Sequence, residues 1–297
     1  MRSELGLGLA CAAAALYDLA LALQALDARL APAAHALRPS LLARLARRRR
    51  WVAGLALGLL GFPLQVYALT LAPITVVQPA LALGLVLLLS LGVTMLGESV
   101  GRREILAISA ILVGIAGLGW AAPLREGDLA DARLAAALVV LGALSAAPYL
   151  GRTRRPNLMI VGAGCAFAWA GVSAKLIADR VTAGDWPAAL GWLVATALVA
   201  VVGLLSEMSA LQRRPATQVA PAVFVVQVAL PVALAGAFGR EDWGSTPLGG
   251  AALAAVLLVL IGGAVVLSRS SAVVGVVDAG PHQLGDRDRA EPPPPQL

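Results

Sequence analysis

The sequence predicts an all-α membrane protein with nine transmembrane helices, arranged as two inverted four-helix repeats joined by a connector helix. Three observations carry that prediction. Hydrophobic residues fill 59% of the 297 positions and charged residues only 13%, about half the charged share with which a soluble domain covers its surface. The apolar residues are gathered into stretches near the ~20 that cross a bilayer at ~1.5 Å rise each. A motif at the middle of the first half also returns 142 residues later.

In chain order the helices are predicted over 5–26, 51–72, 74–97, 103–121, 131–150, 157–178, 186–208, 216–238 and 247–268. A spanning β-barrel would need alternating apolar and polar residues in segments of ~10. Runs such as 81–89 and 251–260 do not alternate. Trp51, Trp120, Trp186 and Trp243 lie near the proposed membrane interfaces, where amphipathic rings prefer to sit. The first helix follows Met1-Arg2 and is alanine-rich like a secretory signal. Its apolar stretch exceeds a ~7 to 15 residue signal core and carries Asp18, so it is expected to stay in place.

Between the first two helices, residues 40–50 read SLLARLARRRR, with Leu41, Leu42 and Leu45 on one side of a potential helix. A short interfacial helix held by anionic lipid is one reading. An ordinary juxtamembrane stop signal is the other, and the slightly favoured one. Past Ser270, Asp286, Arg287, Asp288, Arg289, Glu291 and the prolines at 292–295 predict a disordered tail. Arginine placement sets the expected orientation. With the N-terminus outside, 17 arginines (29, 38, 44, 47–50, 102, 103, 152, 154, 155, 213, 214, 269, 287 and 289) collect on one side, and 5 (2, 125, 133, 180 and 240) on the other. Cytoplasmic loops retain Lys and Arg, so the C-terminus is expected in the cytoplasm and the chain in the cytoplasmic (inner) membrane. The same distribution accounts for the basic balance without nucleic acid, which would need the arginines on one presented face.

The repeat is explicit in the residues. Positions 68–79 read ALTLAPITVVQP and positions 210–221 read ALQRRPATQVAP, with Ala68/Ala210, Leu69/Leu211, Pro73/Pro215, Thr75/Thr217, Val77/Val219 and Pro79/Pro221 identical. Each copy joins two helices and precedes a long apolar one, which closes on Gly97-Glu98 in the first copy and Gly239-Arg240-Glu241 in the second. Helices one to four (1–121, including the basic loop 27–50) thus pair with helices six to nine (157–269), while 122–156 holds the connector and 270–297 the tail. Five helices separate equivalent members, an odd number, so the repeats insert with opposite orientation. That is the plan of many secondary transporters, whose solute site lies near the midplane between the halves.

The stretch 61–120, with the ALTLAPITVVQP joint, Gly97-Glu98 and the glycines Gly114, Gly117 and Gly119, resembles the drug/metabolite transporter superfamily. Nine helices with one long basic loop after the first are similar to the NIPA-type magnesium transporters more than to the ten-helix EamA type. The resemblance implies transport of a small solute. It departs at one place: the NIPA pattern has a glutamate and then an amide in the second helix, where this chain has Phe62 and Gln65. Loss of that acid weakens a magnesium reading, since magnesium favours carboxylate and water oxygens.

Polar groups inside the spans are the candidate site, because each is costly in hydrocarbon and turns toward the bundle interior. Asp18 lies too deep for a short carboxylate to reach water; it is a solute or proton site, or a protonated aspartate hydrogen-bonded to a neighbouring helix. Glu207 is the repeat partner of Gln65, and its alternative is a salt bridge with Arg213. Gln78, Gln218 and Gln227 supply neutral donors and acceptors, and Tyr67 and Trp169 aromatic surface; packing explains these as well as solute contact does. Lys175 is expected to extend its ammonium to the outer interface. Gly54, Gly58 and Gly61 predict close helix approach, and Pro73, Pro79, Pro215 and Pro221 predict broken helices near the joints, with a kink at Pro231.

No enzyme is expected: His35, His282, Cys11 and Cys165 form no metal, haem or redox spacing, no GxxxxGK[ST] sequence occurs, and no cofactor or metal is implied. The expected partners are a small-molecule or ion substrate, the lipid bilayer, and a second copy in a homodimer. The favoured function is a secondary transporter of a metabolite or drug-like solute, with proton antiport as one form. A divalent-cation transporter, and a non-transporting scaffold or lipid-handling protein, are the alternatives.

Overall fold

The computed structural model describes residues 2–72, 74–121, 131–150, 155–237 and 247–269. Pro73, Gly239-Arg240-Glu241, Trp243, His282 and the tail 270–297 lie outside them, as do the side chains of Trp120 and Pro231. Every regular element among the described residues is helical. They run α1 (Arg2–Arg29), a 3-10 turn (Ala33–His35), α2 (Pro39–Leu45), α3 (Arg49–Leu71), α4 (Ile74–Ala82), α5 (Gly84–Thr94), α6 (Arg102–Ala121), α7 (Asp131–Leu150), α8 (Pro156–Thr182), α9 (Trp186–Leu211), α10 (Ala216–Ala237), a 3-10 turn (Pro247–Gly250) and α11 (Ala251–Arg269).

Five segments are long and apolar enough to cross a membrane: Glu4–Arg29, Arg49–Leu71, Val76–Thr94, Pro156–Thr182 and Trp186–Leu211. Leu134–Leu150, Ala216–Leu230 and Ala251–Leu267 are shorter apolar helices. Helices suit this setting because each satisfies its own backbone polar groups where no water can. The outward surface agrees. Leu59, Leu106, Val113, Val139, Leu198 and Leu258 are 65–70% exposed, a display that water penalises and lipid tails accept.

Small residues set how the helices meet. Apolar side chains gain little by leaving lipid, so association depends on close packing. α1 presents Ala10, Ala13, Ala20, Ala22, Ala25 and Ala28, all buried, and packs along α3. Gly54 lets the backbones touch there, since a Cβ on it would stand 2.7 Å from Ala20 O. Gly61 takes the Tyr17 ring, while Gly58 has more room. Gly54→Leu is therefore expected to destabilise the protein by about 1–3 kcal/mol, read by thermal unfolding in detergent. Gly8→Leu, with nothing within 4 Å, is the control expected to change little. Elsewhere α8 packs along α9, α6 against α11, α1 flanks α4 and α5, and α8 flanks α10. Gly114 and Gly117 on α6 receive Leu260 and Val256 of α11, and Gly263 of α11 receives Ile111.

Four expectations change. The predicted third helix is not continuous: α4 stops at Ala82, α5 starts at Gly84 and ends at Thr94. At the interruption the Leu83 N–H is shared between Pro79 O at 3.2 Å and Ala80 O at 3.3 Å, a locally tightened turn. Pro79 itself lies inside α4 and Pro221 inside α10, so these two prolines do not end their helices. The 40–50 segment is more than a stop signal, because α2 forms and sinks Leu41 and Leu45 completely into the main apolar cluster. Trp51 does not turn its ring outward: it is buried, and its Nε1–H points to Met208 Sδ at 3.4 Å, whereas Trp186 is 65% exposed.

Candidate functional site

Asp18 stands on α1 with 8% of its surface exposed. Its carboxyl lies against the interruption between α4 and α5: a Cβ on Gly84 would overlap Asp18 Oδ2 and press on Ala14. Only glycine at the first position of α5 leaves that space. A shallow apolar cavity of about 140 Å³ opens on the same flank, lined by Cys11, Ala14, Ala15, Ala80, Leu83, Gly84 and Leu87.

Glu207, on α9, is also buried. Its helix touches α1, which carries Asp18. Gln65 is buried on α3 and accepts a hydrogen bond from Tyr17 Oη at 2.7 Å. Tyr17 directly precedes Asp18, so Gln65 is tied to the same part of α1. Gln218 is buried on α10. Gln78, on α4, has its Oε1 buried without a partner among the described residues, and Gln227 is half-buried.

The two aromatic candidates belong elsewhere. Tyr67 is 54% exposed on the lipid-facing side of α3, because its position on the helix turns it away from the bundle. Trp169 packs with Trp192, ring centres 6.0 Å apart, in a separate cluster with Leu138 and Leu141 of α7. Lys175 holds Asp179 at 3.1 Å on α8, which satisfies its ammonium locally. Cys11 and Cys165 are free thiols.

A second polar assembly occupies the arginine-rich end. Gly97 has a φ of 63°, a left-handed turn that glycine adopts without Cβ strain. It redirects the chain so that the Glu98 N–H reaches back to Gly92 O and the side chain crosses to α10. There Glu98 Oε1 accepts from Ala216 N–H at 2.7 Å and Oε2 from Thr217 N–H at 2.9 Å. Arg29, the last residue of α1, donates to Oε1 as well. An acid at a helix N-terminus satisfies orphan N–H groups and meets the positive end of the helix dipole. Gly92 admits the Thr217 methyl beneath this contact.

Asp27 does the same for α3, accepting from Trp51 N–H at 3.1 Å while Arg48 stands 3.8 Å away. The loop after α1 then reaches α9: Leu37 N–H donates to Ser209 Oγ at 2.8 Å, and Gln212 Nε2 donates to Ala31 O at 3.1 Å. Desolvation lowers the Arg214 guanidinium from its ordinary value, though an arginine stays charged. Sequence reasoning did not single out Tyr17, Asp27 or Arg29, and quoted Glu98 only as a motif end. The Gly97-Glu98 pair was the available signal, a left-handed turn followed by an acid.

Helices long and apolar enough to cross a bilayer define the class as a helical membrane protein. Compared with known proteins, the chain matches no family model, no curated protein and no solved structure.

Proposed function

We propose that the chain is a nine-span secondary transporter of a small solute, built on the drug/metabolite transporter plan, with Asp18 and Glu207 at the solute or proton site. The carrying observation is that two acids, one from each half of the sequence repeat, are both buried inside a bundle in which their helices, α1 and α9, touch. Intramembrane acids are costly and are retained where they bind or relay. The helix neighbours support the inverted repeat: α1 on α3 is echoed by α8 on α9, and α1 beside α4 and α5 by α8 beside α10.

In this reading the arginine-rich end faces the cytoplasm and the N-terminus lies outside. The bonds from Glu98, Leu37 and Gln212 join residues of the first half to α9, α10 and the turn between them at that end. Closure there belongs to the alternating-access cycle, in which the halves rock about the central site.

The test is a thermal-shift screen of small solutes on the purified protein, followed by uptake and efflux in proteoliposomes. Asp18→Asn and Glu207→Gln are each expected to cut transport of the hit at least about tenfold, the scale of one lost charged contact, while leaving unfolding temperature within a few degrees. Full transport in the double variant would remove the two acids from the site, and no transport of any hit by the unaltered chain would favour a scaffold. A pH gradient should alter the rate if the acids carry protons. Stabilisation by magnesium alone would favour the divalent-cation reading, for which no group of three or more His, Cys, Asp or Glu exists among the described residues.

A further inference from the structure

The arginines between α2 and α3 carry an inference that does not depend on transport. Leu41 and Leu45 are 0% and 1% exposed, so α2 is pinned to the bundle and its outer side cannot swing away. That side and the following turn present Arg44, Arg47, Arg48, Arg49 and Arg50, all exposed. Of these, Arg48 faces Asp27, a carboxylate already engaged by Trp51 N–H.

Arg49 and Arg50 occupy the first turn of α3. Cations are unfavourable at the positive end of a helix dipole, where an anion is welcome. One carboxylate, Asp27, already sits at this helix end, which leaves the charge of Arg49 and Arg50 in excess there. Immediately beyond, the apolar surface of α3 opens outward, with Val52 43%, Leu59 65% and Leu60 57% exposed. In a bilayer, lipid tails would cover that surface and set the arginines at the depth where headgroups begin.

We propose that Arg44, Arg47, Arg49 and Arg50 form a docking rim for anionic phospholipid, with headgroup phosphate held by the guanidinium forks and acyl chains lying on the Val52–Leu60 side of α3. A guanidinium matches two phosphate oxygens at once. Several arginines at an anionic leaflet also attract it collectively. The apolar surface next to the rim selects a lipid over a free anion, which has no tails to place.

The test uses the full chain in nanodiscs of phosphatidylcholine alone, or with a third of it replaced by phosphatidylglycerol. Phosphatidylglycerol is expected to raise Tm by several degrees and to remain on the protein in native mass spectrometry. The variant Arg44→Gln/Arg47→Gln/Arg49→Gln/Arg50→Gln is expected to keep its Tm in phosphatidylcholine and lose both effects. Retention of either effect in that variant overturns the proposal, as does an equal shift from millimolar inorganic phosphate in phosphatidylcholine. Should the variant not fold, salt decides on the unaltered chain. A contact made by exposed arginines fades as the screening length contracts, so a shift indifferent to salt overturns the proposal too.

Discussion

Glu98→Ala is expected to lower stability by about 3 kcal/mol, on the order of 10 °C in Tm. The substitution orphans the N–H groups of Ala216 and Thr217 and leaves Arg29 without its carboxylate in a half-buried position. Each unsatisfied buried donor costs about 1–3 kcal/mol, and water can recover part of that at the end of the bundle. Hydrogen exchange should locate the damage. The first turn of α10 and the loop after α1 should lose protection, since both are held at this assembly, whereas α8 should not. Glu98→Gln, which keeps one acceptor oxygen, should sit between the two. A loss below about 1 kcal/mol with unchanged exchange would show that Glu98 does not hold the ends together.

Gly84→Ala is the second large effect, and it acts on the candidate site. The added methyl would overlap Asp18 Oδ2, so the carboxyl must rotate away or α5 must shift from α1. A cost of about 1–3 kcal/mol is expected from such overpacking, with loss of any ligand-induced thermal shift. The double variant Gly84→Ala/Asp18→Ala distinguishes displacement of the acid from general damage. Removal of the carboxyl should recover most of the stability, giving a coupling of at least about 1 kcal/mol in a double-mutant cycle. Additive losses would place the strain on Ala14 instead, the other neighbour of that methyl.

Much of this was legible in the chain, and the reasons are specific. Asp18 and Glu207 stood out because a carboxyl inside an apolar run has few reasons to be there. Both prove buried. Gly54 and Gly61 were read as packing glycines, and α1 and α3 do meet there. Tyr67 and Trp169 were not separable from site residues, because an aromatic ring suits lipid, packing and solute alike. Which way a ring faces depends on the neighbours of its helix. The turn after Ala82 was also hidden: the residues from Pro79 to Leu89 are all apolar or glycine, and Gly84 alone does not announce that an aspartate 66 positions earlier fills the space beside it.

What the sequence determined by itself follows from solvent transfer. Long apolar stretches must be helices in a bilayer, arginines must gather between them, and intramembrane acids must turn inward, all properties of single segments. The tertiary structure alone decided the pairings. It brought Asp18 to Gly84, Glu98 to the first turn of α10, and Asp27 to that of α3. It also turned the leucines of α2 into anchors and left the arginines outside. The physical reason is that an acid's partner at a helix end is backbone N–H. Every helix offers those groups identically, so no residue in the sequence marks which one will receive it.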